Sequence, residues 1–289
     1  MIKKIKSYYN KKTRNIFTGY LFIFPWLVGF LLFTLWPMIY SFYLGFFDVR
    51  LTPRGIRTSY QGFENFTEAI FSDPVLLENV FEYLQQIILH VPVIIVFSLI
   101  IALLINQDIK GQGFYRTIFF LPVIILSGPV IEQLMAQEAT TIPGIGDYTL
   151  FNIIDNIDWT IMEWISDLFE EIIMVLWFSG VQILIFLAGL QKIDNSTREA
   201  AMIDGASAWE MFWKITLPAV KPLIIVNVIY TVIDISTFDL NPIIIYIREQ
   251  MFNVFTGFGY SSALGWLYFI LISSILIISV IILNIREAW

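Results

Sequence analysis

This sequence has no cysteine and a single histidine, His90, and only 14% of its 289 residues are charged. Without cysteine there are no disulfides, thiolate metal sites or thiol nucleophiles. With one histidine, neither a histidine metal cluster nor a Ser-His-Asp triad can be built from this chain alone. No Gly-x-x-x-x-Gly-Lys loop occurs, so any ATP that drives the protein is hydrolysed by another chain. Acidic residues outnumber basic ones, giving a net charge of -7, which argues against a nucleic-acid partner. What the chain has instead is apolar residues, 57% of the total. Such a balance marks a membrane protein, because soluble domains carry about 25% charge.

A crossing of the hydrocarbon core needs about 20 apolar residues. Six stretches qualify: Ile16 to Phe47, Val80 to Asn106, Thr117 to Gln137, Ile172 to Leu190, Leu223 to Ile247 and Ala263 to Ile285. The fold class predicted is therefore all-α and polytopic. The first stretch is too long for one straight crossing, and Pro25 and Pro37 are expected to kink it. Its apolar core also exceeds that of a cleaved signal peptide, so it is expected to be retained. No internal repeat is evident. The expected organisation is a basic cytoplasmic amino terminus, residues 1–15, followed by one transmembrane domain, residues 16–289.

Orientation follows from lysine and arginine. With both termini cytoplasmic, Lys3, Lys4, Lys6, Lys11, Lys12, Arg14, Lys110, Arg116, Lys192, Arg198, Lys214, Lys221 and Arg286 fall inside. Only Arg50, Arg54, Arg57 and Arg248 fall outside. An acidic loop from Asp147 to Glu171 is then external. Within it, Trp159, Met162, Ile165, Phe169 and Ile172 recur at helical spacing, which predicts a helix lying along the outer interface.

The polar interruption at residues 191–221 carries two candidate capping boxes, Ser196-x-x-Glu199 and Ser207-x-x-Glu210, on either side of Asp204-Gly205. They predict two short helices bent around Gly205. Ala200, Ala201, Met202 and Ile203 belong to the first, and Trp209, Phe212 and Ile215 to the second. One capping box is common. Two boxes with the Gly and Leu217-Pro218 resemble the coupling loop of membrane subunits in bacterial binding-protein-dependent ABC importers.

The resemblance extends along nearly the whole chain to the carbohydrate branch of these permeases, the maltose and glycerol-phosphate type. Tyr20-Leu-Phe-Ile-Phe-Pro25 and Trp36-Pro37-x-x-Tyr40-Ser41-Phe42 are similar to the family's first span. Gln61-Gly62-Phe63-Glu64-Asn65-Phe66 is similar to its external Gly-Leu-Glu-Asn-Tyr element, and Lys110 to Pro122 to the entry of its third span. Leu184 to Leu190 and Phe258 to Trp266 resemble the end of the fourth and the opening of the last. Two departures stand out. Asn241-Pro242 and the stretch after it stand where the usual Gly-Gly-Pro loop is expected, and the short amino terminus departs from maltose-type subunits, which add extra spans before the common core.

The resemblance implies a subunit of a prokaryotic cell-membrane importer for a sugar or oligosaccharide, performing no covalent chemistry. It implies as partners a second homologous permease, two ATPase subunits holding ATP and Mg, and an external solute-binding protein; no cofactor is expected on this chain. Glu199, Ala200, Ala201, Met202, Ile203 and Gly205 would form the knob that an ATPase cleft receives. Acidic groups inside a membrane are costly unless they face water or a partner. Glu132, Asp234 and Asp239 are therefore functional candidates, with Gln133, Gln182 and Asn241 as hydrogen-bonding partners for sugar hydroxyls. Trp177, Tyr230 and Phe238 are candidates to stack on a sugar's apolar face. Two other readings compete. An ion-coupled transporter would use Asp234 or Asp239 but leaves the capped loop without a purpose. An intramembrane aspartate enzyme would need Asp234 and Asp239 to face each other, and on one helix they lie about 140 degrees apart.

Overall fold

The computed structural model describes residues 18–52, 55–107 and 159–285. Four of its helices are long and apolar enough to cross a membrane: Thr18–Leu44, Pro74–Ile105, Ala208–Ser236 and, within a slightly longer helix, Gly257–Leu283. The sequence-predicted span at Thr117 to Gln137, with Glu132 and Gln133, lies outside the described residues. In chain order the elements are α1 (Thr18–Leu44), β1 (Phe47–Thr52), β2 (Gly55–Tyr60), α2 (Glu64–Phe71), α3 (Pro74–Ile105) and α4 (Trp159–Leu190). Then come α5 (Asn195–Ile203), α6 (Ala208–Ser236), α7 (Pro242–Phe252) and α8 (Gly257–Ile285).

Prolines shape two of the spans in the same way. Pro37 has no N–H to offer the carbonyl four residues back, and α1 responds with a π turn over Leu31–Leu35, closed by Trp36 N–H donating to Leu31 O. Pro218 has the same effect in α6, where the π turn spans Phe212–Thr216 and Leu217 N–H donates to Phe212 O. The expected proline disturbance of the first span at Pro37 is thus a widened turn within a continuous helix.

Several features differ from the sequence expectation. The second short helix expected after Gly205 is not separate: it is the opening of the fifth span, which begins at Ala208 rather than Leu223. The expected interfacial helix and the fourth span are one helix, α4, because no breaker interrupts the run from Trp159. The fifth span stops at Ser236 rather than continuing to Ile247. Pro242 cannot extend it, and Asn241 instead caps a new helix: its Oδ1 accepts from Ile243 N–H at 3.0 Å while its Nδ2 donates to Ile235 O at 3.3 Å. Finally, β1 and β2 form an antiparallel hairpin in register from Phe47↔Tyr60 to Thr52↔Gly55, an element not foreseen in an otherwise helical chain.

By packing, the described residues fall into two compact units. The first comprises those up to Leu77 together with Tyr246–Phe269. Here the backbone of β1 lies so close to the start of α8 that a side chain at Gly257 would run into Val49 O, and one at Gly259 into Phe47 O. Asn65 of α2 pins the hairpin's root, its Nδ2 donating to Gly45 O at 2.9 Å and Phe47 O at 3.1 Å. At the head of α3, Asp73 accepts from Leu76 N–H at 3.0 Å and from the phenols of Tyr246 at 2.6 Å and Tyr260 at 2.5 Å. Burial by itself would raise the Asp73 carboxyl. The bonds from the two phenols and from the Leu76 and Val75 N–H groups outweigh it and hold the group below the usual carboxylate range. Burial and the bond to Asp73 push the Tyr246 phenol upward.

The second unit comprises Glu78–Ile245 and the chain from Ile270. Its core is made by α3, α4 and α6, with Ile94, Ala102, Ile183, Phe186, Val220 and Ile235 buried. Small groups let the helices approach: a side chain at Gly189 of α4 would collide with Leu223 of α6, and Ser98 Oγ donates to Ser179 O at 3.4 Å. The hydroxyls of Tyr83 and Ser236 lie 2.5 Å apart, tying α3 to the end of α6.

Replacing Asp73 by Asn should lower thermal stability by about 2 kcal/mol, the scale of hydrogen bonds to a charged acceptor. The depressed carboxyl stabilises the fold above the ordinary aspartate range and loses that contribution as pH falls through its folded value. Unfolding followed in detergent should accordingly show wild type losing stability on acidification, and Asp73→Asn lacking that share of the loss.

Candidate functional site

The polar loop after α4 folds into a stiff bent element. Asp194 caps α5, accepting Ser196 N–H at 3.0 Å. That replaces the expected Ser196-x-x-Glu199 box: a carboxylate two residues earlier is the stronger acceptor, and it leaves Ser196 inside the first turn. The backbone N–H and the hydroxyl of Ser196 hold the Asp194 carboxyl below the usual range. Helix α5 ends in a Schellman motif, with Ala206 N–H on Ala201 O at 2.9 Å and Gly205 N–H on Met202 O at 3.1 Å. Gly205 supplies the left-handed conformation this requires, φ +80°, and open space surrounds the position of its missing side chain.

The second box forms as read from the sequence. Glu210 N–H donates to Ser207 Oγ at 3.3 Å, and Ser207 N–H to Glu210 Oε2 at 3.0 Å, reciprocally. Lys214 reaches Glu210 at 3.6 Å one turn on. The π turn at Phe212–Thr216 then joins this capped start to the rest of α6.

The bent element shows apolar side chains to the outside. Ile203 is 86% exposed, Trp209 69% and Met202 56%. Glu199 and Ala200 are exposed beside them, and Ala201 is half-buried. Trp209, Phe212 and Trp213 form one aromatic cluster, with ring centroids 5.2 to 6.4 Å apart. Exposed apolar side chains are thus gathered on a rigid support that lies outside the long apolar spans' midsections.

The remaining candidates scatter over α4, α6 and the turn that follows. Trp177 and Gln182 lie on α4, Tyr230 and Asp234 on α6, and Phe238, Asp239 and Asn241 in the segment between α6 and α7. The structure brings Trp177 and Phe238 together, centroids 6.4 Å apart, and Phe238 also meets Phe178 at 5.2 Å. Both ends of the Asn241 amide are used in the helix cap. Because α6 ends at Ser236, Asp239 does not share its helix with Asp234. Among the described residues no three His, Asp or Glu side chains gather as metal ligands would. His90 Nδ1 lies 3.0 Å from the Gln86 carbonyl of its own helix.

Sequence reasoning missed a buried polar seam between α4 and α6. Gln182 Nε2 donates to Thr231 Oγ1 at 3.0 Å, and Thr231 Oγ1 donates to Asn227 O at 2.8 Å. All three residues are 0% exposed. The signal was present: Asn227 and Thr231 are polar four residues apart in an otherwise apolar run, one face of a helix.

Comparison with known proteins shows the family. Residues 69–288 match the sequence profile described as binding-protein-dependent transport system inner membrane component. The chain is 34% identical to a probable ABC transporter permease, YesP, of Bacillus subtilis (strain 168), covering 93% of this chain and 92% of that one. It is 29% identical to the lactose transport permease LacF of Rhizobium radiobacter, over 81% of this chain and 76% of that one. It is also 29% identical to the trehalose/maltose permease MalF of Thermococcus litoralis, over 92% and 94%. Among solved structures, a bacterial ABC transporter that imports the acidic polysaccharide alginate shares the fold, with a TM-score of 0.65 at 18% identity over 95% of this chain and 97% of that one. With its apolar helices, its bent capped loop and a profile match over most of its length, this chain belongs to the multi-pass inner membrane components of binding-protein-dependent transport systems.

Proposed function

We propose that this protein is one of two permease subunits of an ATP-driven importer for a sugar or oligosaccharide, receiving its substrate from an external solute-binding protein. The observation that carries the reading is the bent, doubly capped element around Gly205 with Met202, Ile203 and Trp209 exposed upon it. The lactose and trehalose/maltose relatives support a sugar as cargo. The alginate importer has also been solved with a pentasaccharide-bound periplasmic protein, which supports the binding-protein partner.

In this reading both termini and the bent element are cytoplasmic, on the side where most lysines and arginines lie. An ATPase cleft receives Glu199, Ala200, Ala201, Met202, Ile203 and Gly205. Two caps and a Schellman turn leave the element few ways to deform, so ATPase closure is passed on as motion rather than absorbed. The π turn at Phe212–Thr216 delivers that motion into α6, which carries Tyr230 and Asp234. Those two, with Trp177, Phe238 and Asp239, and with Glu132 and Gln133 from the segment outside the described residues, offer hydrogen bonds and ring faces to the sugar. Gln182 and Asn241, expected from the sequence to join them, are buried with their amides bonded inside the protein and hold helices together instead. ATP and Mg belong to the partner subunits. An ion-coupled mechanism gains nothing from the structure, since it leaves the bent element unused.

Uptake into vesicles that stops on ATP depletion and survives an ionophore tests the energy source; the opposite result overturns the reading. Gly205→Val should strain the left-handed turn by about 1–2 kcal/mol and impair uptake, while Gly205→Asn, which tolerates that conformation, should retain most of it. Ile203→Asp should weaken co-purification of the ATPase by roughly ten- to a hundredfold, the value of burying such a side chain, while leaving membrane insertion unchanged.

A further inference from the structure

Within the second unit, a cavity of about 400 Å³ opens between the bent element and the ends of the spans. Its walls come from the end of α3, the end of α4, α5 and the first turns of α6. Arg198 of α5 is the one charged residue in that lining, and no carboxylate accompanies it. Its guanidinium has no carboxylate partner among the described residues either. Asn106 and Gln107, just past the end of α3, bring two carboxamides, and Thr216 of α6 brings a hydroxyl. These three side chains bond to no other group among the described residues.

A cation without a counter-charge, in a cavity furnished with neutral donors, selects an anion. The guanidinium presents paired N–H donors that match two oxygens of a phosphate or a carboxylate. Two amide groups and a hydroxyl add donors for further oxygens. Together they suit the three free oxygens of a phosphate monoester better than the two of a carboxylate. The volume falls in the range of small-molecule sites, about 300–1,000 Å³, and exceeds what a bare phosphate ion fills. Leu103, Met211 and Phe212 give the remaining space an apolar wall, suited to a carbon skeleton.

We propose that this cavity binds an organic phosphate, with the phosphoryl group on Arg198, Asn106, Gln107 and Thr216 and the organic body against Leu103, Met211 and Phe212. The inference rests on the transport reading above, in which this end of the helices faces the cytoplasm. A ligand seated there joins α5 and α6 to the end of α3. It therefore restrains the bent element that the ATPases must move, and import slows while the cavity is filled. The same chemistry is carried by a free sugar phosphate and by a phospholipid headgroup.

Glucose 6-phosphate is the probe, with inorganic phosphate and glucose as comparisons. Titrated into the complete importer in phosphatidylcholine nanodiscs without nucleotide, it should bind more tightly than either. Arg198→Gln should weaken it by about ten- to a hundredfold, the value of hydrogen bonds to a charged group, and Thr216→Val by less. Affinity that drops when phosphatidylglycerol joins the bilayer, in wild type but not in Arg198→Gln, assigns the cavity to a lipid headgroup. Affinity indifferent to that lipid assigns it to a free metabolite. No binding, or equal binding by wild type and both variants, overturns the site. Enclosed with ATP inside vesicles, glucose 6-phosphate should slow uptake by wild type, and Arg198→Gln and Thr216→Val should blunt that effect. Binding that leaves wild-type uptake unchanged overturns the restraint. ATP-driven uptake by wild type without the probe reports separately on the transport reading.

Discussion

Inside a hydrocarbon layer no water stands ready to bond a stray N–H or carbonyl, so each backbone polar group must be satisfied by the chain itself. Much of this architecture follows from meeting that demand at the places where the sequence makes it difficult. Pro37 and Pro218 each remove a donor, and each span answers with a π turn ahead of the proline rather than a break. Where helices begin, Asp73 and Asn241 provide a buried acceptor, and at the exposed bend Asp194 and Ser207 do so where water is at hand, so that their gain is rigidity. The turn at Gly205 closes the carbonyls at the end of α5.

The loop at residues 191–207 is stiff for a local reason. Its caps are at both ends of a short connection, and its apolar side chains point away from the loop's own backbone. A flexible loop could bind a partner equally well but would dissipate any displacement imposed on it. The capped bend and the π turn immediately after it, at Phe212–Thr216, are separate structures. In the transport reading proposed above, the first receives the load from the ATPase and the second passes it into the rest of α6 within one continuous helix.

Much of this was legible from the sequence, and the parts that were not share a cause. Long apolar runs gave the helices, and the Ser207-to-Glu210 box and Gly205 gave the bend, because their signals are local. The end of α6 was hidden because Thr237 to Ile247 remains apolar enough to continue a span, and only Asn241 capping across Pro242 ends it. Asp194 was passed over in favour of Ser196 because both fit a cap and only geometry ranks them. The hairpin from Phe47 to Tyr60 lacks a strong alternation, and it stands because α8 offers glycines where β1 lies against it. The seam of Gln182, Asn227 and Thr231 needed two helices placed side by side before its members could be seen as neighbours.

That hairpin is built from backbone on one side and left to its side chains on the other. Gly257 and Gly259 leave room for the main chain of β1, while every residue of β2 from Gly55 to Tyr60 is exposed. Its shape is consequently insulated from the identity of its outward residues. Selection can rewrite Ile56, Arg57, Thr58 and Ser59 to suit a changing acquaintance without reopening the question of how the strand is held.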